Sequence, residues 1–284
     1  EFARAVLGDL LNGSGGEPVV LERLGKTGQD LHAFEPSAAD IRKLSGADIL
    51  ICIGSFAETW LDGAIRASGN RSLRVLSMTD VCELHEEEEL PGLGEHDHHH
   101  DHGHGEGTQV EYDEHVWTSF GNMARIVTAV RDTLTAVLPE QAATLQANAA
   151  SYLLELDALR ADYQATVASA ADPVLVIADR YPFAYLMREL GVVCYAAFPG
   201  CSSETQASFS TQVMLTETVR DLHLPVVLYV DFGVASVADA VSRATGVPVR
   251  RLWSGQVASD TGLSYLDMLR ENLVSLRAAL GVTG

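Results

Sequence analysis

The sequence predicts an α/β fold, in which two lobes each contain a mainly parallel sheet flanked by helices. Three observations predict it: short β-branched runs, longer amphipathic runs alternating with them, and one uninterrupted helical run near the middle. Strand alternating with helix is typical of parallel sheets covered by helices. The 284 residues, 47% of them hydrophobic, suffice for one large domain or two lobes with proper cores.

Short runs rich in Val, Ile and Leu predict the strands. They are Ala47–Ile53, Leu73–Leu76, Val174–Ala178, Val192–Ala196, Val226–Val230 and Val247–Leu252. Between them, apolar residues at helical spacing predict helices. These are Ala38–Lys43, Phe56–Ala67, Ser119–Val137, Pro139–Ala168, Tyr181–Leu190, Phe209–Leu222, Ser236–Thr245 and Leu263–Leu280.

The run Pro139–Ala168 has no Gly or Pro after its first residue and is rich in helix-forming Ala, Leu, Glu and Gln. At 1.5 Å per residue such a helix is roughly 45 Å long, which exceeds the width of a small lobe. We therefore expect one rigid helix, residues 139–170, to join an N-terminal lobe, 1–138, to a C-terminal lobe, 171–284.

A histidine-rich tract follows the acidic run Glu86–Glu89 and indicates that the protein handles a transition metal. Imidazole is the commonest protein ligand for zinc, and the interspersed Asp residues add oxygen donors. The tract contains His96, His98, His99, His100, His102 and His104. We expect a disordered acidic and histidine-rich loop, about residues 83–110, that gathers metal without fixing a geometry. An ordered site is expected elsewhere.

The net charge and the cysteine spacing exclude other classes. A formal charge of −20 disfavours nucleic acid and anionic membrane surfaces, which would repel the chain. Cys52, Cys82, Cys194 and Cys201 have no C-x-x-C spacing, so a zinc ribbon or a redox motif is not predicted. Their disulfide state stays open, with Cys194 and Cys201 as one candidate pair.

No apolar run reaches the roughly 18 residues that a membrane-spanning helix needs. The opening residues, Glu1–Leu7, have the pattern of the middle of a helix. We expect a leader and a first strand to precede them in the complete protein.

Two histidines outside the tract have neighbours suited to an ordered site. His32 lies in a loop between Asp30 and Glu35, and His115 follows Asp113 and Glu114 just before a predicted helix. Loops at strand ends and helix starts are where α/β folds bind ligands. His85 and His223 lack such neighbours and are interpreted as surface or helix-end residues.

Five motifs in order resemble the metal-receptor proteins of zinc and manganese ABC importers. They are D-x-H-x-F-E-P-S at 30–37, A-D-I-L-I-x-x-G-x-x-x-E-x-W-L at 47–61, the histidine-rich loop, D-E-H-V-W at 113–117, and G-L-S-Y-L-D-M-L-R-E-N-L at 262–273. The predicted long helix also matches that family's interlobe helix. The resemblance implies two lobes with one metal ion held between them.

The resemblance further implies an extracytoplasmic receptor that captures Zn²⁺ and delivers it to an ABC-type permease in the membrane. Such a receptor is periplasmic or lipid-anchored, is not an enzyme, and is expected to act as a monomer. Carried over residue by residue, the family's ligands fall on His32, His115 and Asp231, the last directly after a predicted strand.

At the family's remaining ligand position this chain has Arg180, which stays protonated and cannot bind a cation. We predict Glu204 as the replacement, with Arg180 pairing a nearby carboxylate. Asp179 and Cys201 are alternatives, and three protein ligands plus water is another. Glu204 is equally well explained as an acid that caps the helix predicted at Phe209–Leu222.

Two imidazoles with one or two carboxylates favour Zn²⁺, whereas Mn²⁺ prefers more oxygen ligands. A manganese receptor of the same family is the first alternative. A zinc hydrolase, with Glu35, Asp113 or Glu114 as general base, is the second, although H-E-x-x-H is absent from the sequence. A metal buffer or chaperone shares the chemistry and differs only in its partner.

Overall fold

The computed structural model describes residues 1–14, 16–25, 34–55, 58–87, 90, 112–200, 207–233, 235–256 and 262–282. Their strands are β1 (Ile49–Cys52), β2 (Arg74–Ser77), β3 (Val174–Tyr181), β4 (Val193–Pro199), β5 (Val227–Val230) and β6 (Val249–Leu252). Their α-helices are α1 (Phe2–Leu7), α2 (Ala38–Gly46), α3 (Leu61–Ser68), α4 (Phe120–Val137), α5 (Ala142–Ala168), α6 (Ala184–Leu190), α7 (Phe209–Asp221), α8 (Ser236–Thr245) and α9 (Tyr265–Ala279). Short 3-10 turns cover Gly8–Asn12, Val116–Thr118 and Pro139–Gln141.

The strands of the described chain form two parallel sheets. One pairs β1 with β2, and the other has four strands in the order β4-β3-β5-β6. The central strand β3 is buried along most of its length. Because a parallel strand must be reached by a crossover, a helix lies between successive strands in the sequence and covers a face of the sheet.

The core of the four-stranded sheet is built from the apolar faces of β3, β4, α7 and α8. Val176 and Ala178 of β3 pack in one cluster with Leu215 of α7 and Val241 of α8, all at most 1% exposed. A separate cluster around Leu44, Leu50 and Ala64 holds α2 and α3 against β1. Each sheet therefore has its own hydrophobic core.

The chain divides into two compact units. One comprises Glu1–Glu83, Ser119–Ala161 and Gly255–Leu269, and the other Leu84–Thr118, Asp162–Ser254 and Arg270–Gly284. The predicted long helix is confirmed as α5, whose 27 residues give a length of about 40 Å. The predicted lobe boundaries at residues 138 and 170 stay a prediction.

Two predicted helix starts are wrong. The helix predicted from Tyr181 begins at Ala184, because Tyr181 continues β3 and pairs with Pro199. Pro182 explains the shift, since the residue before a proline is held in an extended conformation. The helix predicted from Phe56 begins at Leu61 as α3, after a turn over Thr59–Trp60.

None of the helices in the described part of the chain combines the length and the apolar character that crossing a membrane requires.

Candidate metal centre

The carboxyl ends of β3, β4, β5 and β6 meet at one edge of the four-stranded sheet, because these strands are parallel. Arg180 and Tyr181 end β3, Gly200 follows β4, Asp231 follows β5, and Ser254 lies just after β6. Two of the residues singled out in the sequence, Asp231 and Arg180, therefore lie at the edge where α/β sheets bind ligands.

His115 is 0% exposed and is oriented by Asp113. Asp113 Oδ1 accepts the His115 backbone N–H at 2.8 Å and lies 2.7 Å from His115 Nδ1. A carboxylate at Nδ1 favours the tautomer with the proton on Nδ1, so that Nε2 carries the lone pair. His115 thus has the orientation of a metal ligand that binds through Nε2.

Gly200 lies against the His115 ring. A Cβ atom at this position would lie 3.1 Å from His115 Cε1 and 2.8 Å from the Tyr181 carbonyl oxygen. Only glycine lets the chain after β4 pass this close to the imidazole without moving it.

Asp231 is held by Ser254. Its Oδ1 accepts the Ser254 backbone N–H at 3.1 Å and the Ser254 hydroxyl at 3.0 Å. Burial nevertheless raises the pKa of Asp231 above its ordinary value, because removing a carboxylate from water disfavours its charged form. A bound dication would offset that cost.

Trp117 connects the His115 loop to the Asp231 turn. Its indole N–H donates to the Ser254 carbonyl oxygen at 2.9 Å, and its ring centroid lies 5.4 Å from that of His115. Ser254 in turn binds Asp231. The two candidate ligands are therefore joined by one short path of contacts within the second compact unit.

Asp179 contacts the backbone, and Arg180 contacts an aromatic ring. Asp179 is 4% exposed, and its carboxylate accepts the N–H of Arg180 at 2.8 Å and that of Val230 at 3.2 Å. Any Cβ at Gly233 would overlap this carboxylate. The Arg180 guanidinium lies 5.1 Å from the centroid of the Phe232 ring. The predicted pairing of Arg180 with a carboxylate stays a prediction.

Several predicted site residues lie outside the described residues. They are His32, Glu204, Cys201 and the six tract histidines, His96, His98, His99, His100, His102 and His104. Within the described ranges, no group of three or more His, Cys, Asp and Glu side chains is arranged to hold a metal ion. His115 and Asp231 are thus the predicted ligands whose surroundings are defined. The ligand set as a whole stays a prediction.

The thiols of Cys52 and Cys82 are protonated in the metal-free chain. Burial raises the pKa of each to about 12, so both stay protonated at neutral pH. The candidate disulfide of Cys194 stays a prediction, because Cys201 lies outside the described residues.

Sequence reasoning missed the residues that position His115 and Asp231. The sequence suggests Asp113 as an acidic neighbour of His115 and as a possible general base. That it orients the imidazole is not predicted, although a carboxylate two residues before a histidine is within reach of the ring. The sequence predicts no role in the site for Trp117 or Ser254, because the hydrogen bond between them joins residues 137 positions apart. No local pattern indicates a contact over that separation.

Together, the parallel sheets and the oriented imidazole define a class: α/β ligand-binding proteins with donors suited to a transition metal. The sequence profile of one family, described as "ZnuA: Zinc-uptake complex component A periplasmic", matches residues 4–279. The chain belongs to this family. The family consists of solute receptors and not of enzymes, which removes the hydrolase alternative.

Two relatives illustrate the match. The zinc-binding lipoprotein AdcA of Streptococcus pneumoniae is 28% identical over 281 residues, which are 98% of this chain and 53% of AdcA. The high-affinity zinc uptake system protein ZnuA of Bacillus subtilis is 26% identical, over 88% of this chain and 77% of that protein. The chain spans about half the length of the AdcA proteins that it matches.

Solved structures show the same fold. The Zn(II)-bound ZnuA-like domain of Streptococcus pneumoniae AdcA superposes with a TM-score of 0.74 at 24% identity, covering 98% of this chain and 94% of that one. A mutant of the laminin-binding adhesin Lmb of Streptococcus agalactiae gives 0.78 at 20% identity, covering 98% and 95%. The predicted fold class, parallel sheets flanked by helices with one long helix, is confirmed.

Proposed function

We propose that this chain is the zinc receptor of an ABC-type importer. It captures Zn²⁺ outside the cytoplasmic membrane and delivers the ion to a membrane permease. Membership of the ZnuA family supports this function, and so do relatives named for zinc binding and zinc uptake. The permease, the anchor and the monomeric state belong to the proposal.

The observation that carries the proposal is the His115 imidazole, buried and oriented by Asp113. In the proposed site Zn²⁺ binds His115 Nε2 and the Asp231 carboxylate, with His32 and Glu204 completing the set. The negative charge of Asp113 beside Nδ1–H makes Nε2 a stronger donor. Imidazole nitrogen favours Zn²⁺ over Mn²⁺, which prefers oxygen.

The histidine-rich tract is proposed to gather zinc before the ordered site takes it up. Its two flanks are joined in the structure: Glu86 and Tyr112 form an antiparallel bridge, and the Asp113 N–H donates to the His85 carbonyl oxygen at 3.0 Å. Asp113 holds His115. The tract is thus tethered to the proposed ligand, because its flank Tyr112 lies three residues before His115.

The first test is the affinity of His115→Ala for zinc, measured by competition with a chelator at less than one equivalent of Zn²⁺. Loss of one of four ligands is expected to weaken zinc binding at least about 100-fold. This exceeds the usual effect of losing a residue that only hydrogen-bonds to a ligand. His223→Ala is the matched control, because His223 is exposed at the end of α7. Equal affinity in the His115 variant and the wild type would contradict the proposal.

The same titration separates the other parts of the site. Replacing residues 88–110 by a short Gly-Ser linker, which keeps the bridge between Glu86 and Tyr112, is expected to remove weak binding and leave one tight equivalent. Loss of all bound zinc would instead identify the tract as the site. Unchanged tight affinity in Glu204→Ala would exclude Glu204 as a ligand.

A further inference from the structure

Tyr185 makes a pair of hydrogen bonds that the zinc-binding proposal does not use. It lies in the first turn of α6 and is 3% exposed. Its hydroxyl donates to the Asp113 carbonyl oxygen at 2.7 Å and accepts the His85 N–H at 3.1 Å. The phenol ring also packs against the His85 imidazole, with centroids 5.3 Å apart.

These contacts form a closed ring of hydrogen bonds. The Asp113 N–H donates to the His85 carbonyl oxygen at 3.0 Å, so Asp113 is bound through both its backbone N–H and its backbone C=O. When the backbone N–H and C=O of a residue are both hydrogen-bonded, a large change in its φ or ψ breaks one of these bonds. Each such loss is unfavourable. Tyr185 therefore restricts the backbone of the residue whose side chain orients His115.

The consequence reaches the imidazole through one atom. Asp113 Oδ1 accepts a hydrogen bond from the His115 backbone N–H and also lies 2.7 Å from the ring nitrogen Nδ1. A small rotation of the Asp113 backbone moves that oxygen, and the ring that it holds moves too. The helix that carries Tyr185 also packs on the turn Val116–Thr118, directly after His115.

We propose that Tyr185 is a positioning residue for the zinc site, acting on His115 through Asp113. The inference rests on the proposed function, because it presumes that His115 binds the metal. The hydroxyl of Tyr185, and not the bulk of its ring, is the group that acts on Asp113. Removing the hydroxyl leaves the ring packed on His85 but frees the Asp113 peptide from α6.

A double-mutant cycle in the full chain tests this inference. Zinc affinity is measured by chelator competition, at less than one equivalent of Zn²⁺, in wild type, Tyr185→Phe, Asp113→Asn and the double variant. Loss of an outer partner of a metal ligand weakens affinity about 10- to 100-fold, and Tyr185→Phe is expected at the lower end. Tyr163→Phe is the matched control, since Tyr163 is equally buried on α5.

If Tyr185 acts through Asp113, the two losses are not additive in free energy, and the double variant binds zinc about as tightly as Asp113→Asn alone. Two results would overturn the inference: wild-type affinity in Tyr185→Phe, or fold-losses that multiply in the double variant. Either result leaves zinc binding by His115 intact. A wild-type protein without a tight zinc equivalent would instead defeat the proposed function.

Discussion

Asp231 is expected to destabilise the metal-free protein. Burial raises its pKa, so the folded chain binds the proton more tightly than the unfolded chain does. Stability therefore rises as the pH falls through the raised pKa, and above that pKa the ionised carboxylate costs free energy. The carboxylate proposed to bind zinc is thus one whose charged form burial disfavours in the metal-free chain.

Asp231→Asn should therefore raise the melting temperature of the metal-free protein at pH 7 while weakening zinc binding. The amide oxygen can still accept both hydrogen bonds from Ser254. About 1 kcal/mol corresponds to roughly 2 °C in a chain of this size. The difference should shrink as the pH falls towards 4, the ordinary range of an Asp pKa.

Calorimetry of the chelator-treated protein across this pH range measures the effect. Asp172→Asn is the control, because Asp172 is exposed. A lower melting temperature for the Asp231 variant at pH 7 would mean that the charge stabilises the fold.

At the scale of elements, the segment that follows β4 places Gly200 against His115. The backbone passes so near the ring that a methyl group would lie 2.8 Å from the Tyr181 carbonyl oxygen, closer than such atoms approach in folded proteins. Gly200→Ala should push the end of β3 or the imidazole aside. We expect a loss of about 1–3 kcal/mol in stability, the usual cost of overpacking, together with weaker zinc binding.

Gly63→Ala is the matched control for this prediction. Gly63 lies in α3, and an added Cβ would meet nothing within 4 Å. Alanine there should be neutral or gain up to about 1 kcal/mol from its helix propensity. Denaturant unfolding measures the stability of both variants, and zinc titration measures their affinity. Unchanged zinc affinity in Gly200→Ala would show that the contact of Gly200 with His115 does not affect zinc binding.

Much of the element order could be predicted, and the exceptions depend partly on contacts between elements. Buried runs such as Val226–Val230 have few polar residues, so their strand character is apparent in the sequence. The extension of β3 to Tyr181 is not predicted, because it depends on pairing with Pro199 of β4 as well as on the extended conformation that Pro182 imposes on the residue before it. The site residues divide in the same way: His115 has a local pattern, whereas Ser254 depends on distant contacts.

For the whole molecule, zinc should act as a stabilising ligand. A ligand present at 100 times its Kd adds about 2.7 kcal/mol to the free energy of unfolding. At roughly 2 °C for each kcal/mol, the melting temperature should rise by about 5 °C and depend on zinc concentration. Binding of zinc to tract histidines in the unfolded chain would reduce this shift.

Differential scanning fluorimetry with Zn²⁺ and with Mg²⁺ checks this expectation. Mg²⁺ should leave the melting temperature unchanged, because it prefers oxygen ligands and retains its waters. A similar shift with both ions would indicate charge neutralisation of the acidic chain, which carries −20, rather than a site.

The class of protein could be predicted from the whole chain better than the site could. Five motifs in order indicated the family, and the fold followed from the alternation of strands and helices. The complete ligand set did not follow, because Arg180 occupies a position where the family resemblance implies a ligand. The structure shows that its guanidinium lies over Phe232, which explains how the cation is accommodated and not what replaces it.

The antiparallel bridge between Glu86 and Tyr112 holds the two ends of the intervening segment together, so that this segment can be replaced by another sequence. Since its ends are already adjacent, doubling the length of a flexible insertion costs only about 0.6 kcal/mol. A change in the length or sequence of this segment should therefore have little effect on the stability of the sheets. A sensor peptide or a different metal-gathering sequence could be inserted there, with His115, the proposed zinc ligand, three residues after Tyr112.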